Sequence, residues 1–285
     1  MGLLRFFEMP TAIRRQVIRH YLNKVTGRKS SSEIMGAKNL YKLFRRIRGL
    51  QVAVGDEEYK LSLAGEKRNI VCYTRKYPSS DLITLYEVWG KQEYKIAIEM
   101  LSEQNIQQPL ILDVGANVGY STLYFKNYFP TSDVICIEPD RLNLNQISKN
   151  ISANNFENII LLEGALWPKR SKMALKSDYR EGTSASFYVV ESEAGNVEGY
   201  GIKDVLSIKN WNHIDLLKMD IEGAEKYLFE DEKIAASILR ITRVIAIEIH
   251  DEKADRQKIY TALSSNGFTF FTKGDTTFGT NEHFQ

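Results

Sequence analysis

The fold is decided by the stretch Ile111-Leu112-Asp113-Val114-Gly115-Ala116-Asn117-Val118-Gly119-Tyr120-Ser121. Its apolar start predicts a buried strand, its two glycines predict a turn, and a segment with helical spacing follows. Glycine lets a ligand approach the backbone closely, and the first turn of a helix has N–H groups without partners inside the helix. The stretch therefore predicts a strand, a ligand-binding loop and a helix in succession.

Short apolar runs recur along the rest of the chain, and segments of helical length separate most of them. The runs predict strands at residues 110–114, 134–137, 159–162, 216–219, 244–249, 268–272 and 276–278. Helices are predicted near residues 119–129, 140–154, 223–238 and 253–266. Strands that are apolar throughout are typical of a parallel sheet covered by helices on both faces. We therefore predict an α/β fold with a doubly wound, mostly parallel, seven-stranded sheet of the Rossmann-like type, whose ligand lies beyond the carboxyl ends of the strands.

The chain is predicted to have two parts that meet between residues 105 and 106. Residues 106–285 form the sheet domain, and a polar insert at residues 171–205 interrupts its alternation of strands and helices. Residues 1–105 form a basic helical arm followed by a small β extension. Alternating apolar residues around Gly55 indicate a hairpin in that extension, and residues 70–74 indicate a third strand.

The net charge of +2 hides an uneven distribution. Residues 1–50 contain twelve Lys and Arg residues against two acidic ones, whereas the rest of the chain contains 26 basic and 34 acidic residues. We expect this arm to pair with the acidic body or with a partner subunit of a homo-oligomer. Docking to an anionic membrane surface is the second interpretation, because apolar side chains alternate with the basic ones. Nucleic acid is a weaker third, since the chain contains no recognised binding module.

Composition excludes several classes of protein. Apolar residues make up 43% of the chain and charged residues 26%, which is typical of a globular protein with a core rather than of a disordered chain or a disulfide scaffold. Cys72 and Cys136 have no metal-binding spacing, so we expect two buried, reduced thiols. No run approaches the roughly 20 apolar residues of a membrane-spanning helix, and the start lacks the apolar region of a secretory signal. We therefore expect a cytoplasmic protein.

The loop after the first predicted strand differs from the dinucleotide fingerprint G-x-G-x-x-G. Its glycines are spaced G-x-x-x-G, and Asn117 stands where the middle glycine would be. Asp113 would repel a pyrophosphate but would pair with the ammonium of a ligand that carries an amino acid, as S-adenosylmethionine does. Asn117 and Ser121 could then reach the carboxylate of that ligand. Glu138, 25 residues after Asp113, is the expected acceptor for both ribose hydroxyls, and a turn without a ligand is the alternative.

The sequence resembles the FkbM-type family of class I methyltransferases. The matching stretches follow five predicted strands, at residues 113–119, 138–139, 163–166, 217–225 and 247–250. The resemblance covers residues 108–250, and its most specific part is Lys218-x-Asp220-x-Glu222-Gly223-x-Glu225. It implies a class I methyltransferase fold and O-methyl transfer from S-adenosylmethionine, often in glycan or secondary-metabolite pathways. The expected cofactor-binding residues are Asp113, Gly115, Asn117, Gly119, Ser121, Glu138, Ala165 and Asp220.

The predicted catalytic residues follow two neighbouring strands. Asp220 and Glu222 come after the fourth strand of the sheet domain, and Glu248 and His250 come at the end of the fifth. His250 is the expected general base, because its ordinary pKa is near neutrality, and Asp220 could take the proton instead. Glu222 and Glu248 would hold the acceptor or a cation. Oxygen and imidazole ligands suit a divalent metal, but the spacing does not require one, so no metal is predicted.

Three functions remain open at this point. The first is an S-adenosylmethionine-dependent O-methyltransferase that acts on a small-molecule or glycan hydroxyl. The second is an RNA methyltransferase recruited by the basic arm. The third is a non-catalytic binding or scaffold protein that keeps the sheet without turnover.

Overall fold

The structure is a computed structural model that describes residues 5–177 and 187–284. Contacts divide the chain into two units, and along the chain the first change of unit falls between Glu93 and Tyr94. The sequence analysis expects the division between residues 105 and 106. The difference arises because a helix at Lys95–Glu103 packs on the large sheet and belongs with the second unit.

The first unit contains the predicted arm and β extension. Its elements are α1 (Thr11–Val25), α2 (Ser32–Arg46), β1 (Gln51–Val54), β2 (Glu58–Ala64), β3 (Asn69–Arg75) and α3 (Asp81–Leu85), followed by a π-helical turn at Tyr86–Gly90. The three strands pair as an antiparallel sheet in the order β1-β2-β3, which confirms the predicted hairpin and third strand. Residues 149–155 belong with this unit too.

Asparagine side chains protect the outer edge of β3. The backbone N–H of Tyr73 donates to Asn150 Oδ1 at 2.7 Å, and the N–H of Val71 donates to Asn154 Oδ1 at 2.8 Å. The amide of Asn154 also donates to the carbonyl oxygen of Val71 at 2.7 Å. These bonds satisfy backbone groups that an unpaired edge strand would expose.

Helix α1 confirms the helix predicted from the spacing of apolar and basic residues. Ile13 and Val17 are buried, whereas Ile18, Tyr21, Leu22 and Val25 are exposed. None of the helices in the described part of the chain has the length and the apolar character that crossing a membrane requires.

The second unit carries the large sheet. Its elements are α4 (Lys95–Glu103), β4 (Leu110–Val114), α5 (Tyr120–Tyr128), β5 (Asp133–Glu138), α6 (Arg141–Ser152), β6 (Ile159–Leu166), β7 (Ser171–Ser177), β8 (Phe187–Glu191), β9 (Val197–Tyr200), α7 (Ile202–Ser207), β10 (Ile214–Met219), α8 (Glu225–Phe229), α9 (Glu232–Leu239), β11 (Thr242–Glu248), α10 (Arg256–Ser265), β12 (Phe268–Lys273) and β13 (Thr276–Asn281). All seven predicted strands are present near their predicted positions.

Among the described residues, the large sheet has ten strands in the order β12-β13-β11-β10-β4-β5-β6-β9-β7-β8. The strands from β11 to β6 run parallel, and the β12–β13 hairpin adds antiparallel to β11. This confirms the doubly wound α/β fold. The predicted number of seven strands is too low, because the insert at 171–205 adds β7, β8 and β9. Its half-exposed strands contain many polar residues and so lack the apolar runs by which buried strands are found.

The core lies where the parallel strands meet the helices. Leu112, Leu217 and Ile245 are fully buried on adjacent strands, and Leu239 and Leu263 pack on them from the helices. The helix predicted at residues 223–238 is divided into α8 and α9, because the carboxylate of Asp231 accepts from the N–H groups of Lys233 and Ile234 and begins a new helix. The two cysteines are buried and free, as predicted.

Asp215 joins three strands at the end of the sheet opposite the predicted ligand. Its carboxylate accepts from the backbone N–H of Leu110 at 2.9 Å and from Arg243 Nε at 3.1 Å. Only 6% of its side chain is exposed. Because β10, β4 and β11 are neighbours in the sheet, one carboxylate ties together the starts of all three strands.

We expect Asp215→Ala to lower the free energy of unfolding by about 2–4 kcal/mol, because a partly buried N–H loses its acceptor and a partly buried guanidinium loses one of its two. Urea unfolding followed by circular dichroism measures the difference. Asp251→Ala, which removes an exposed carboxylate, is the control and should shift the midpoint much less. Equal midpoints for wild type and Asp215→Ala would contradict this account.

Candidate functional site

The loop between β4 and α5 is held by backbone contacts that only glycine permits. Gly115 has φ 74°, and the N–H groups of Gly115 and Ala116 both donate to the carbonyl oxygen of Ile137. A Cβ atom on Gly115 would lie 1.8 Å from the carbonyl oxygen of Asp220. The loop is thus confined between the ends of β5 and β10, and a side chain at position 115 would force the end of β4 away from the end of β10.

Asn117 and Gly119 complete the turn into α5. Both residues have positive φ, 49° and 84°, which a glycine adopts without strain and an asparagine tolerates. The N–H of Asn117 donates to Glu138 Oε2 at 2.9 Å, so the backbone of this residue binds the neighbouring strand end. Sequence reasoning expected both residues in the loop, and they lie there.

Asp113 is fully buried; its Oδ2 accepts two hydrogen bonds, whereas its Oδ1 has an ion-pair contact but no hydrogen bond among the described residues. Oδ2 accepts from Ser121 Oγ at 2.6 Å and from Thr122 Oγ1 at 2.7 Å, while Oδ1 is 3.4 Å from Lys218 Nζ. This differs from the expected pairing of Asp113 with a ligand ammonium and from the expected role of Ser121 at a ligand carboxylate. In this arrangement both side chains fix the start of α5 against β4.

Lys218 lies at the centre of the sheet, whereas the sequence analysis leaves it without a role. Its strand, β10, pairs with β11 on one side and β4 on the other. The ammonium is buried, and it donates to the carbonyl oxygen of Gly115 at 2.7 Å. Together with its ion pair to Asp113, this bond ties the glycine loop to β10. The position of Lys218 at the start of the most specific matching stretch was the signal that could have revealed this role.

Glu138 ends β5 and faces the glycine loop, with 5% of its surface exposed. Oε1 accepts from the N–H of Asp140 and from the amide of Asn143, both at 3.1 Å, and Oε2 accepts from Asn117. Burial raises the pKa of Glu138 to about 7 against the opposing effect of these bonds. A carboxylate has about four acceptor positions, so one on Oε2 remains for a ligand hydroxyl rather than two.

Ala165 lies near the end of β6, as predicted, but its side chain packs inside the protein. It belongs to a small buried cluster with side chains that follow β6, lie in the insert or precede α8, namely Trp167, Met173, Val189, Val197 and Ala224. The predicted role of Ala165 in binding the cofactor stays a prediction.

The four predicted catalytic residues come together where β10 and β11 end. His250 Nε2 is 3.6 Å from Glu222 Oε2, 3.9 Å from Asp220 Oδ1 and 4.0 Å from Glu248 Oε1. We call Asp220, Glu222, Glu248 and His250 the strand-end cluster. The parallel pairing of β10 with β11 explains this proximity, because it brings the carboxyl ends of both strands to the same edge.

Glu225 also belongs to this site, although it was not among the predicted catalytic residues. It is fully buried at the start of α8, and Oε1 accepts from His250 Nδ1 at 3.1 Å and from the N–H of Ile221 at 3.2 Å. Among the described residues, Oε2 has no hydrogen-bond partner. Glu225 therefore orients the imidazole while it holds the turn after β10.

The charges of the cluster decide the protonation of His250. Burial lowers the pKa of its imidazole, but the hydrogen bond to Glu225 and the charges of Glu225, Asp220 and Glu222 outweigh burial and raise the pKa to about 9. Burial and the charge of Asp220 also raise the pKa of Glu222 to about 7. A protonated imidazole cannot accept a proton, so the predicted role of His250 as general base needs its unprotonated form, and that role stays a prediction.

The chain is similar to known methyltransferases in sequence. The model of the methyltransferase FkbM domain matches residues 113–270. "Methyltransferase 1" of Beauveria bassiana (strain ARSEF 2860) is 24% identical over 182 residues, which cover 55% of this chain and 71% of the relative. "Methyltransferase sdnD" of Sordaria araneosa is 24% identical over 195 residues, which cover 56% of this chain and 73% of the relative.

Among solved structures, methyltransferase FkbM from Methylobacillus flagellatus KT is 15% identical to this chain. The alignment covers 70% of this chain and 53% of that one, with a TM-score of 0.41. The family model, in contrast, spans the glycine loop, Glu138, Ala165 and the whole strand-end cluster, and it covers more than half of the sequence. The chain therefore belongs to the FkbM methyltransferase family and is an enzyme that takes its methyl group from S-adenosylmethionine.

Proposed function

We propose that this enzyme methylates a hydroxyl group of a sugar, a glycan or a secondary metabolite, and that the strand-end cluster holds and deprotonates that hydroxyl. The observation that carries the proposal is the contact between Gly115 and the carbonyl oxygen of Asp220. Because no side chain fits between Gly115 and that oxygen, the glycine loop and the strand-end cluster lie side by side at the carboxyl ends of the strands, an edge that we call the shared rim. A ligand on the loop would therefore lie next to the carboxylates.

The residues of the loop fit S-adenosylmethionine. The remaining acceptor position on Glu138 Oε2 suits a ribose hydroxyl, and the loop runs from there directly to the start of α5. The aspartate that was expected to bind the amino group is occupied by Ser121, Thr122 and Lys218. We assign the amino group of the ligand to Asp220 instead. This residue lies next to Gly115, and its side chain is about a third exposed.

The charge of the cluster favours a hydroxyl over an amine as the acceptor. Asp220, Glu222, Glu225 and Glu248 surround one imidazole, so the site is rich in negative charge. Such a site would keep an amine protonated and thereby remove the lone pair that attacks the methyl group. A hydroxyl is neutral, donates to carboxylates, and needs a neighbouring acceptor for its proton as it reacts.

Bound S-adenosylmethionine supplies a methyl group on a cationic sulfonium, which needs no further activation. The protein orients the acceptor oxygen in line with the methyl carbon and accepts the hydroxyl proton on Asp220 or Glu248. Transfer would join the methyl carbon to the acceptor oxygen and would leave the electron pair of the carbon–sulfur bond on sulfur, while the hydroxyl proton would go to the carboxylate. Glu225 takes part by holding His250 beside these carboxylates.

The cluster variants Asp220→Asn and Glu248→Gln test this assignment. We expect each to lower kcat by about 10²–10⁴-fold, the usual contribution of general acid–base catalysis. Because we assign Asp220 also to the amino group of the cofactor, only Glu248→Gln should keep the affinity for S-adenosylmethionine. Transfer of radioactive methyl groups to a panel of sugars, glycans, phenols and RNA identifies the acceptor. Wild-type activity on RNA or on amines alone would contradict the proposal.

Gly115→Ala tests the shared rim. A Cβ atom would collide with the Asp220 carbonyl oxygen, and alanine is strained at φ 74°. We expect the variant to lose S-adenosylmethionine binding by at least about 100-fold in calorimetry, since the ends of β4 and β10 must separate. Gly274→Ala is the matched control, because Gly274 has φ 65° but no atom within 4 Å of its Cβ position. Normal binding by Gly115→Ala would show that the contact is dispensable.

The pKa of Glu138 predicts a pH dependence of nucleoside binding. The carboxylate accepts a ribose hydroxyl only when ionised, so affinity should rise as pH rises through about 7. Between pH 6 and pH 8 we expect an increase of about tenfold. Methylthioadenosine is the suitable probe, because it has the ribose but neither the amino nor the carboxyl group of the full cofactor. Glu138→Gln should bind more weakly with a flat pH profile, and a flat profile for wild type would be the contrary result.

A further inference from the structure

Helix α1 has apolar side chains on two faces, and only one of these faces is buried. The helix packs on α2, and Ile13 and Val17 are buried. The other face carries four residues that are 49%, 50%, 57% and 86% exposed, in the order Ile18, Tyr21, Leu22 and Val25. Their spacing is i, i+3, i+4 and i+7, so the four side chains form one row along the helix, which we call the apolar stripe. The described residues cover the first face of α1 and leave the apolar stripe exposed.

Phe7 extends the apolar stripe beyond the start of the helix. Arg14 comes four residues before Ile18 and therefore lies on the same side of α1. Its guanidinium carbon is 5.8 Å from the centre of the ring of Phe7, a residue that is 63% exposed. Single apolar side chains are common on protein surfaces, but a contiguous exposed row of them is typical of a docking site.

Exposed basic side chains border the apolar stripe. Arg15 and Arg19 lie on one side of it and Lys24 lies on the other, because each of them is three positions from one member of the stripe. All three residues are exposed. A partner that covers the stripe would therefore meet positive charge along both of its sides.

The surrounding part of the chain is also strongly positive. The first 93 residues, which make up most of the first unit, contain 18 Lys and Arg residues against nine acidic ones. Burial lowers the pKa of Lys38, and the charges of Lys42 and Lys24 lower it further. These like charges act on one another, so an anionic partner would be attracted to this region.

We infer that the apolar stripe and its basic border dock on an anionic membrane surface, with α1 lying in the plane of the interface. Helices that bind membranes in this way have apolar side chains on one face and Lys and Arg residues beside them. The apolar side chains enter the boundary between head groups and acyl chains, while the cations attract anionic lipids. A membrane surface uses both properties at the same place.

Other partners would use only one of the two properties. An acidic protein surface or the phosphates of a nucleic acid would attract the cations but would leave the apolar stripe in water. A second copy of this chain would cover the stripe but would bring two strongly positive units together. Four side chains are also far fewer than the roughly 20–30 residues that each partner contributes to a stable protein interface. An anionic bilayer is therefore the partner that fits this surface.

Co-sedimentation of the full chain with lipid vesicles tests the inference. We expect binding to phosphatidylcholine vesicles that contain about a quarter phosphatidylserine, and at least about tenfold weaker binding to vesicles of phosphatidylcholine alone. Raising the salt from about 0.05 M to about 0.5 M should weaken binding by a similar factor, because it shortens the range of electrostatic attraction about threefold. Equal binding to both kinds of vesicle, or binding to neither, would overturn the inference.

The double variant Leu22→Gln/Val25→Gln tests the apolar stripe. Both residues are exposed and glutamine is a good helix former, so the variant should keep its fold, which circular dichroism checks. We expect it to bind anionic vesicles at least about tenfold less tightly, because it loses apolar surface that the membrane would bury. Val54→Gln/Leu142→Gln removes two exposed apolar side chains outside α1 and is the matched control. An unchanged affinity of the first variant, or an equal loss in the control, would contradict the inference.

A fluorescent label separates the membrane from the other partners. The two natural cysteines are buried, so a dye that reports on polarity can be attached to Val25→Cys. Anionic vesicles should shift its emission to shorter wavelength, whereas the same dye on Val54→Cys should not respond. A shift that RNA or a higher protein concentration produces and vesicles do not would assign the surface to nucleic acid or to a second copy and would overturn the inference. None of these measurements involves turnover, so their outcome is independent of the proposed acceptor.

Discussion

The close approach of Gly115 to the carbonyl oxygen of Asp220 is the constraint on which the rest of the site depends. The N–H of Asp220 donates to the carbonyl oxygen of Val114 at 3.1 Å, so the ends of β4 and β10 remain paired up to the loop. A glycine at the first position of the loop is the only residue that permits this distance. The contact joins the part of the fold that binds a nucleoside to the part that carries reactive side chains.

Two groups of charged side chains lie near this contact, and they differ in their exposure to solvent. Asp113 and Lys218 are both buried and neutralise each other, so they stabilise the geometry without being available to a ligand. The strand-end cluster keeps its carboxylates partly exposed and crowds them around one imidazole. A rigid buried ion pair beside partly exposed carboxylates is the arrangement that we expect where the hydroxyl of an acceptor must be held.

Much of this could be predicted from the sequence, because buried parallel strands leave apolar runs and the residues after them meet at one edge of the sheet. The strands, the glycine loop, Glu138 and the strand-end cluster all follow from that pattern. The strands of the insert could not be predicted in this way, because half-exposed strands lack such apolar runs. The partners of Asp113 and the role of Glu225 were also missed, because residues eight to 105 positions apart meet only once the strands and helices are packed.

The position of the nucleoside relative to the cluster is the central claim, and a crystal structure with S-adenosylhomocysteine tests it most directly. The account predicts a ribose oxygen at hydrogen-bond distance, about 3 Å, from Glu138 Oε2, with the sulfur atom on the side of Gly115 that faces Asp220 and Glu248. A nucleoside bound away from Glu138, or a sulfur atom separated from the strand-end cluster by protein, would contradict it.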